Sequence, residues 1–178
     1  HKSKTFTRFQ HKDNDNNSIA GNKISSIFED SRGRLWIGTA GAGLDLFNKE
    51  NNTFKHFKKN ESIHNTLVHN RIYCISEDNN NNIWIGTENG GLSILDNNTG
   101  QFRNYQNDEI DPNSLAGNTV GALYKDRAGN MCVGTRGGDI SLYRKNIQQF
   151  AHNRRSSSNS ISHNSVHSMY EDVDNNLW

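Results

Sequence analysis

The segment Gly38-Thr39-Ala40-Gly41-Ala42-Gly43 places three glycines in six residues directly after an apolar run, Leu35-Trp36-Ile37. Such a composition could cradle phosphate, provided that a helix follows and a Lys-Ser/Thr pair or a downstream acid completes the site. Neither is present. The same loop recurs as "GTENGG" from Gly86 and "GTRGGD" from Gly134, each time between two strand-like runs. Other chemistry-bearing residues are equally dispersed. Cys74 and Cys132 lack metal-type spacing and read as small buried hydrophobes. The eight histidines are scattered along the chain, and no zinc site is assigned. "DNDNN" from Asp13 and "DVDNN" from Asp172 begin like calcium loops, but the twelfth place after Asp13 is Ile24, not a bidentate Glu. No catalytic residue, metal or cofactor is therefore assigned.

What positions these residues is a repeat. Trp36 is followed 48 residues later by Trp84, and 48 further on the slot holds Cys132. Around it run "ISSIFEDSRGRLWIGTAGAGLDLF", "IYCISEDNNNNIWIGTENGGLSIL" and "VGALYKDRAGNMCVGTRGGDISLY", with a partial fourth copy, "VHSMYEDVDNNLW", ending at Trp178. An F-x-x-F module (Phe6, Phe54, Phe102, Phe150) and an S/T-[IL]-x-x-N module (Ser18, Thr66, Ser114, Ser160) keep the same period.

In each copy a first strand is apolar at both alternating sets and is expected to be buried on both faces. Asp30, Asp78, Asp126 and Asp172 end it and are placed to accept backbone N–H groups across a turn. Gly33, Asn81, Gly129 and Asn175 fill the positive-φ slot of that turn. The glycine loop is read as a second turn, between strands two and three, and the F-x-x-F module as a fourth strand. Four short antiparallel strands per 48 residues are the signature of a β-propeller blade. The expected fold is all-β, an incomplete ring of three full blades and partial ones. Residues 1–21 would be a last strand and connection, 22–69, 70–117 and 118–163 the blades, and 164–178 the start of another. The recurrent Trp and Phe residues are expected in blade cores, not on sugar rings.

Composition bounds the function. Only 31% of the 178 residues are hydrophobic, and 28 are asparagine, which suits a turn-dense chain. The net charge of +1 gives no global field for nucleic acid or an anionic membrane. No apolar run approaches the ~18 residues of a span. The N-terminal HKSKTFTRF carries no leader, as a mature or excised segment would not.

Repeats carry function where copies differ. The second-to-third-strand turns vary at Ala40, Glu88 and Arg136, and the connections between blades vary throughout. In a propeller both lie on the face where ligands bind. The candidate ligand-binding residues are His11, Asp13, His64, His69, Glu88, Asp111, Arg136 and Arg154.

The pattern I-x-x-I-x-E-D-x-x-G-x-L-W-I-G-T-x-x-G-G-L resembles the two-component regulator propeller repeat, at Ile24 to Leu44 and Ile72 to Leu92, more loosely at Val120 to Ile140, and in part from Val166. The third copy departs at Lys125, Cys132 and Asp139. The resemblance implies a periplasmic sensor region of a hybrid two-component system, recognising a polysaccharide-derived oligosaccharide. A membrane-anchored parent would then signal to a cytoplasmic histidine kinase, whose motifs are not in this chain. Ring closure implies further blades of a longer parent or a second copy, a homodimer. Competing readings are a propeller enzyme of lyase or lactonase type and an interaction scaffold without small ligand. Against the enzyme, Ser26, Cys74, Ala122 and Ser168, read as the inner-strand positions, offer no acids or histidines.

Overall fold

A computed structural model describes residues 6–144, 149–153, 165–174 and 176–178. Three four-stranded antiparallel sheets follow one another, and no helix occurs among the described residues. The first is β1 (Ile24–Glu29), β2 (Leu35–Thr39), β3 (Leu44–Asn48) and β4 (Thr53–Phe57). The second is β5 (Ile72–Glu77), β6 (Ile83–Thr87), β7 (Leu92–Leu95) and β8 (Phe102–Tyr105). The third is β9 (Val120–Lys125), β10 (Met131–Thr135), β11 (Asp139–Arg144) and β12 (Gln149–Asn153). Each is a simple meander in sequence order. The fold is the expected one: all-β propeller blades, with no closed sheet.

The turn between the first two strands is fixed by its aspartate. Asp30 Oδ1 accepts the N–H of Arg32 and Arg34 at 3.0 and 2.9 Å, and Oδ2 accepts the Trp36 indole N–H at 2.8 Å. Asp78 repeats this with Asn80, Asn82 and Trp84, and Asp172 with Asp174, Asn176 and Trp178. Positive φ falls at Gly33 (72°), Asn81 (63°) and Gly129 (86°) as the sequence implies; Asn175 lies outside the described residues. The indole thus reaches back to a saturated carboxylate, which leaves Trp36 and Trp84, each only 1% exposed, free to be core residues as expected. Trp178, expected in a core as well, makes the same bond but is 75% exposed, because no described blade packs over it.

The core lies between blades. One cluster joins Trp36 and Leu44 of the first sheet to Ile72, Ile83, Ile85 and Phe102 of the second, with Leu67 from the connection. A second joins Trp84, Leu92 and Ile94 to Val120, Met131, Val133 and Phe150. The F-x-x-F modules form a staircase across these seams. Phe9 meets Phe54 at 5.5 Å, Phe57 meets Phe102 at 5.9 Å and Tyr105 meets Phe150 at 5.5 Å.

Two kinds of glycine serve this packing. Gly43 and Gly91 take φ of 95° and 85° in the second-to-third-strand turns; Asp139 holds the same slot at 84°, where a side chain is strained. Gly38, Gly86 and Gly134 lie within strands and have another role. A Cβ on Gly86 would stand 2.7 Å from Val120 Cγ1, and one on Gly134 2.6 Å from Val166 Cγ1. Each is the hollow that receives the first branched residue of the next blade.

Two expectations need correction. The first strand is not buried on both faces in every copy: Ile27 of β1 is 65% exposed, whereas its equivalent Ile75 packs on the first cluster. The difference is that the first sheet covers Ile75, and no described element covers Ile27. Nor are Ser26, Cys74 and Ala122 free inner positions. They sit beside Gly38, Gly86 and Gly134, on the face that meets the following blade. Cys74 and Cys132 are free thiols, and burial pushes them up to about 12 and about 11, so neither is a reactive thiolate.

Gly86→Ala is expected to cost about 1–3 kcal/mol by overpacking the seam. Urea unfolding measures it, and an unchanged midpoint would refute the hollow-filling account. Asp30 supplies a second test. Burial pushes its carboxyl up, but the Trp36 indole, the Arg34 backbone N–H and the Arg34 guanidinium together hold it below its ordinary 3.8. Asp172 is drawn down to about 2 by the Trp178 indole and Asn176. A depressed folded-state pKa contributes stability above the unfolded value, and that contribution fades as pH falls through the folded value. Stability should therefore decline between about pH 4 and pH 2, and Asp30→Asn should make that decline shallower in unfolding titrations at stepped pH.

Candidate functional site

Each blade is entered through a connection that the S/T-[IL]-x-x-N module builds. The Ser or Thr hydroxyl accepts a backbone N–H six residues back, at Lys12, Asn60 and Asp108. The Asn side chain accepts another eleven back, at His11, Lys59 and Asn107. The Asn carbonyl then takes the N–H of the preceding blade's turn glycine, Gly43 to Asn70 at 2.8 Å and Gly91 to Asn118 at 2.7 Å. Connections and second-to-third-strand turns are therefore laced together on one face. The repeated residues make the frame, and the variable residues between them face outward.

On this face the β4–β5 connection and the β6–β7 turn enclose a groove of about 360 Å³, open to solvent. Asn60, Glu61, His64, Asn65, His69, Asn89, Asn104 and Gln106 line it, with Ile63 as an apolar patch. Asn104 is fixed from both sides: its amide N–H donates to Thr66 O at 2.9 Å and its oxygen accepts from Ser93 Oγ at 2.7 Å.

Beside the groove, Glu88 accepts the Tyr73 hydroxyl at 2.6 Å and the Arg71 guanidinium at 2.8 Å. Arg71 N–H reaches the groove residue His69 through Nδ1 at 3.2 Å. The Arg136 guanidinium lies over the Tyr73 ring, 4.6 Å from its centroid. The Tyr73 hydrogen bond and, against the opposing effect of burial, the Arg71 charge hold the Glu88 carboxyl below the ordinary range. The same bond raises Tyr73, which stays neutral and a donor.

A β-bulge aims Tyr73 at this cluster. The β5–β6 register shifts between Ile72 and Cys74, as β1–β2 does between Ile24 and Ser26, and β9–β10 skips Gly121. One residue per first strand, Ser25, Tyr73 or Gly121, is thereby released from the ladder. In the third blade that residue has no side chain, and Arg136 crosses it, with Nε 3.5 Å from where a Gly121 Cβ would be.

The sequence candidates divide accordingly. His64 and His69 line the groove, and Glu88 and Arg136 meet around Tyr73. His11 and Asp13 lie together in the connection before the first blade, where His11 Nδ1 meets Ile19 O at 2.8 Å. Asp111 is used within the β8–β9 connection, accepting the Asn113 N–H at 2.9 Å. Arg154 lies outside the described residues. Tyr73 and Arg71 were not among the candidates. The available signal was variability between fixed neighbours: the slot reads Ser25, Tyr73, Gly121 and His167.

The family model of the two-component regulator propeller matches residues 18–41 and 66–89. Two stretches of the chain, each running into a blade's second strand, therefore carry a two-component regulator propeller repeat. The two matched stretches run from the Ser18 and Thr66 loop-builders to the turns that Thr39 and Thr87 close, through hydroxyl bonds to Gly43 O and Gly91 O.

Among solved structures, this propeller segment is similar to the extracellular domain of BT4673 from B. thetaiotaomicron, described as a hybrid two component system. Identity is 23% and TM-score 0.71, covering 91% of this chain and 21% of that one. The corresponding domain of BT3049 from B. thetaiotaomicron gives 23%, 0.67, 98% and 27%. A protein described as a gluconolactonase gives 12%, 0.60, 87% and 56%. The segment thus spans about a fifth to a quarter of the two extracellular domains. At these identities the likeness is one of fold. No curated protein matches the chain.

Removing the hydroxyl in Tyr73→Phe should raise the Glu88 pKa toward the ordinary range, because the largest stabiliser of the carboxylate is lost. An NMR titration of the Glu88 carboxyl carbon reads this directly; an unmoved titration would mean that Arg71 alone sets the charge.

Proposed function

We propose that this chain is the ligand-reading part of an extracytoplasmic, periplasmic sensor of hybrid two-component type, and that its groove takes an oligosaccharide released from a polysaccharide. The observation that carries the reading is the open groove lined by amides and imidazoles. A sugar presents hydroxyls that both donate and accept, and Asn, Gln and His side chains can meet both demands. Ile63, 58% exposed, offers apolar area to a ring face. The nearby acids support binding over acid–base chemistry, since each is engaged by a cation: Glu61 by Lys59 at 2.7 Å and Glu88 by Arg71 at 2.8 Å.

The likeness to extracellular domains of hybrid two-component systems supports the sensor role and the location outside the cytoplasm. In this reading the parent is membrane-anchored. Its ring is completed by further blades or a second copy, which would cover Ile24 and Ile27. A ligand that binds one arrangement of the sensors better than another shifts the population, and a kinase domain follows.

The test is thermal unfolding of the full-length protein against a panel of polysaccharide-derived oligosaccharides. A ligand at a hundred times its Kd adds about 2.7 kcal/mol. One glycan class should raise the melt, and His64→Ala should weaken that class about tenfold while leaving the ligand-free melt in place. A panel that never moves a cooperative melt would overturn the sugar reading in favour of a protein partner.

A further inference from the structure

In the groove and beside it, charge is unbalanced. Lys59, Arg71 and Arg136 bring three fixed cations, Glu61 and Glu88 two carboxylates. Lys59 is paired with Glu61, and Arg71 with Glu88. Arg136 is exposed and has no carboxylate within ion-pair distance among the described residues. Its guanidinium is nonetheless held in place. It rests on the Tyr73 ring at 4.6 Å, and the Tyr73 hydroxyl is anchored by Glu88 at 2.6 Å.

A guanidinium stacked on a ring keeps its N–H donors in its own plane, directed past the ring edge and free for a ligand. A planar, pre-positioned fork of this kind suits a carboxylate or sulfate oxygen pair. The approach is specific to this pair of blades. It needs the Tyr73 bulge in one and a residue without a side chain, Gly121, beneath Arg136 in the next. Across the first pair of blades the equivalent slots hold Ser25 and Glu88, which can build nothing similar.

We propose that the ligand is an acidic oligosaccharide, whose carboxylate or sulfate docks on Arg136 while its neutral sugar units lie in the groove along His69, Asn89 and His64. The inference rests on the groove being a glycan site. It adds the chemical class: an anionic group beside the His69 side of the groove. Arg71 contributes a second positive edge, because a single Nη1 contact to Glu88 leaves other donors of its fork unused by that bond.

The experiment is isothermal titration of the full-length protein with matched glycan pairs: uronate oligosaccharides and their methyl esters, and sulfated oligosaccharides and their desulfated counterparts. The tightest ligand should be acidic. Its neutralised partner should bind about tenfold more weakly, the loss expected of one charge-assisted contact. Affinity for the acidic member should fall with added salt. Arg136→Gln should abolish the preference within the pair while leaving the neutral member's affinity and the melting temperature unchanged. Which pair responds distinguishes carboxylate from sulfate. If the tightest ligand is neutral, the acidic class is wrong and the glycan reading stands; if Arg136→Gln keeps the wild-type preference, the dock on Arg136 is wrong and the proposal is overturned. If no glycan binds, both readings fail.

Discussion

The seam between blades depends on one steric fit. A branched first-strand residue, Ile72 or Val120, enters the hollow left by a strand glycine of the blade before it, Gly38 or Gly86. Both residues are fully buried. The fit lets two sheets come close enough for Phe57 to meet Phe102 at 5.9 Å and Trp84 to meet Tyr143 at 5.0 Å. Because the apolar clusters straddle these seams, a blade has little core of its own. Stability in such an array is shared between neighbours, and a face without a neighbour leaves apolar residues in water, as at Ile27.

Polar contacts fix how the blades meet once the hollow is filled. Glu77 reaches back to the first blade's turn, accepting the Ser31 N–H and hydroxyl at 2.9 and 2.8 Å. Glu171 does the same for the Arg127 N–H at 3.2 Å. At the seam between the second and third blades the position is Lys125, which cannot accept. That seam is closed instead by Trp84, Tyr105, Tyr143 and Phe150 packed ring on ring. The third copy's departures are thus distributed: an acceptor lost at Lys125, an indole lost at Cys132, and a strained aspartate at Asp139, whose Oδ1 is buried without a hydrogen-bond partner among the described residues.

The binding face follows from the same economy of parts. Repeated Ser/Thr and Asn residues satisfy the connection's backbone, so the residues between them are released from structural duty. His64 and His69 can therefore vary without cost to the frame. The β3–β4 register adds a second layer of variation beneath them. Asp45 with His56 at 2.7 Å in the first blade becomes Ser93 with Asn104 at 2.7 Å in the second. Each pair also holds the connection, through the N–H of Ala20 or Val68. The groove floor is consequently a structural element in its own right, which is why Asn104 both shapes the site and lines it.

Much of this was legible in the residues alone. The 48-residue period, the four strands per copy, the aspartate that caps the first turn and the Gly/Asn slot beside it are local features, written by residue type and spacing. So was the division between fixed frame and variable loops, which placed His64, His69, Glu88 and Arg136 on one face. Tertiary structure decided what spacing cannot express. Gly38 and Gly43 look alike in a string, yet one is a hollow for a distant isoleucine and the other a left-handed turn, because only the first depends on a residue 34 positions away. The bulge that frees Tyr73 is a register shift between strands, invisible in either strand by itself. The meeting of Tyr73 with Arg136, 63 residues apart in sequence, exists only because two blades pack side by side. The sequence alone determined the blade; the contact between blades made the site.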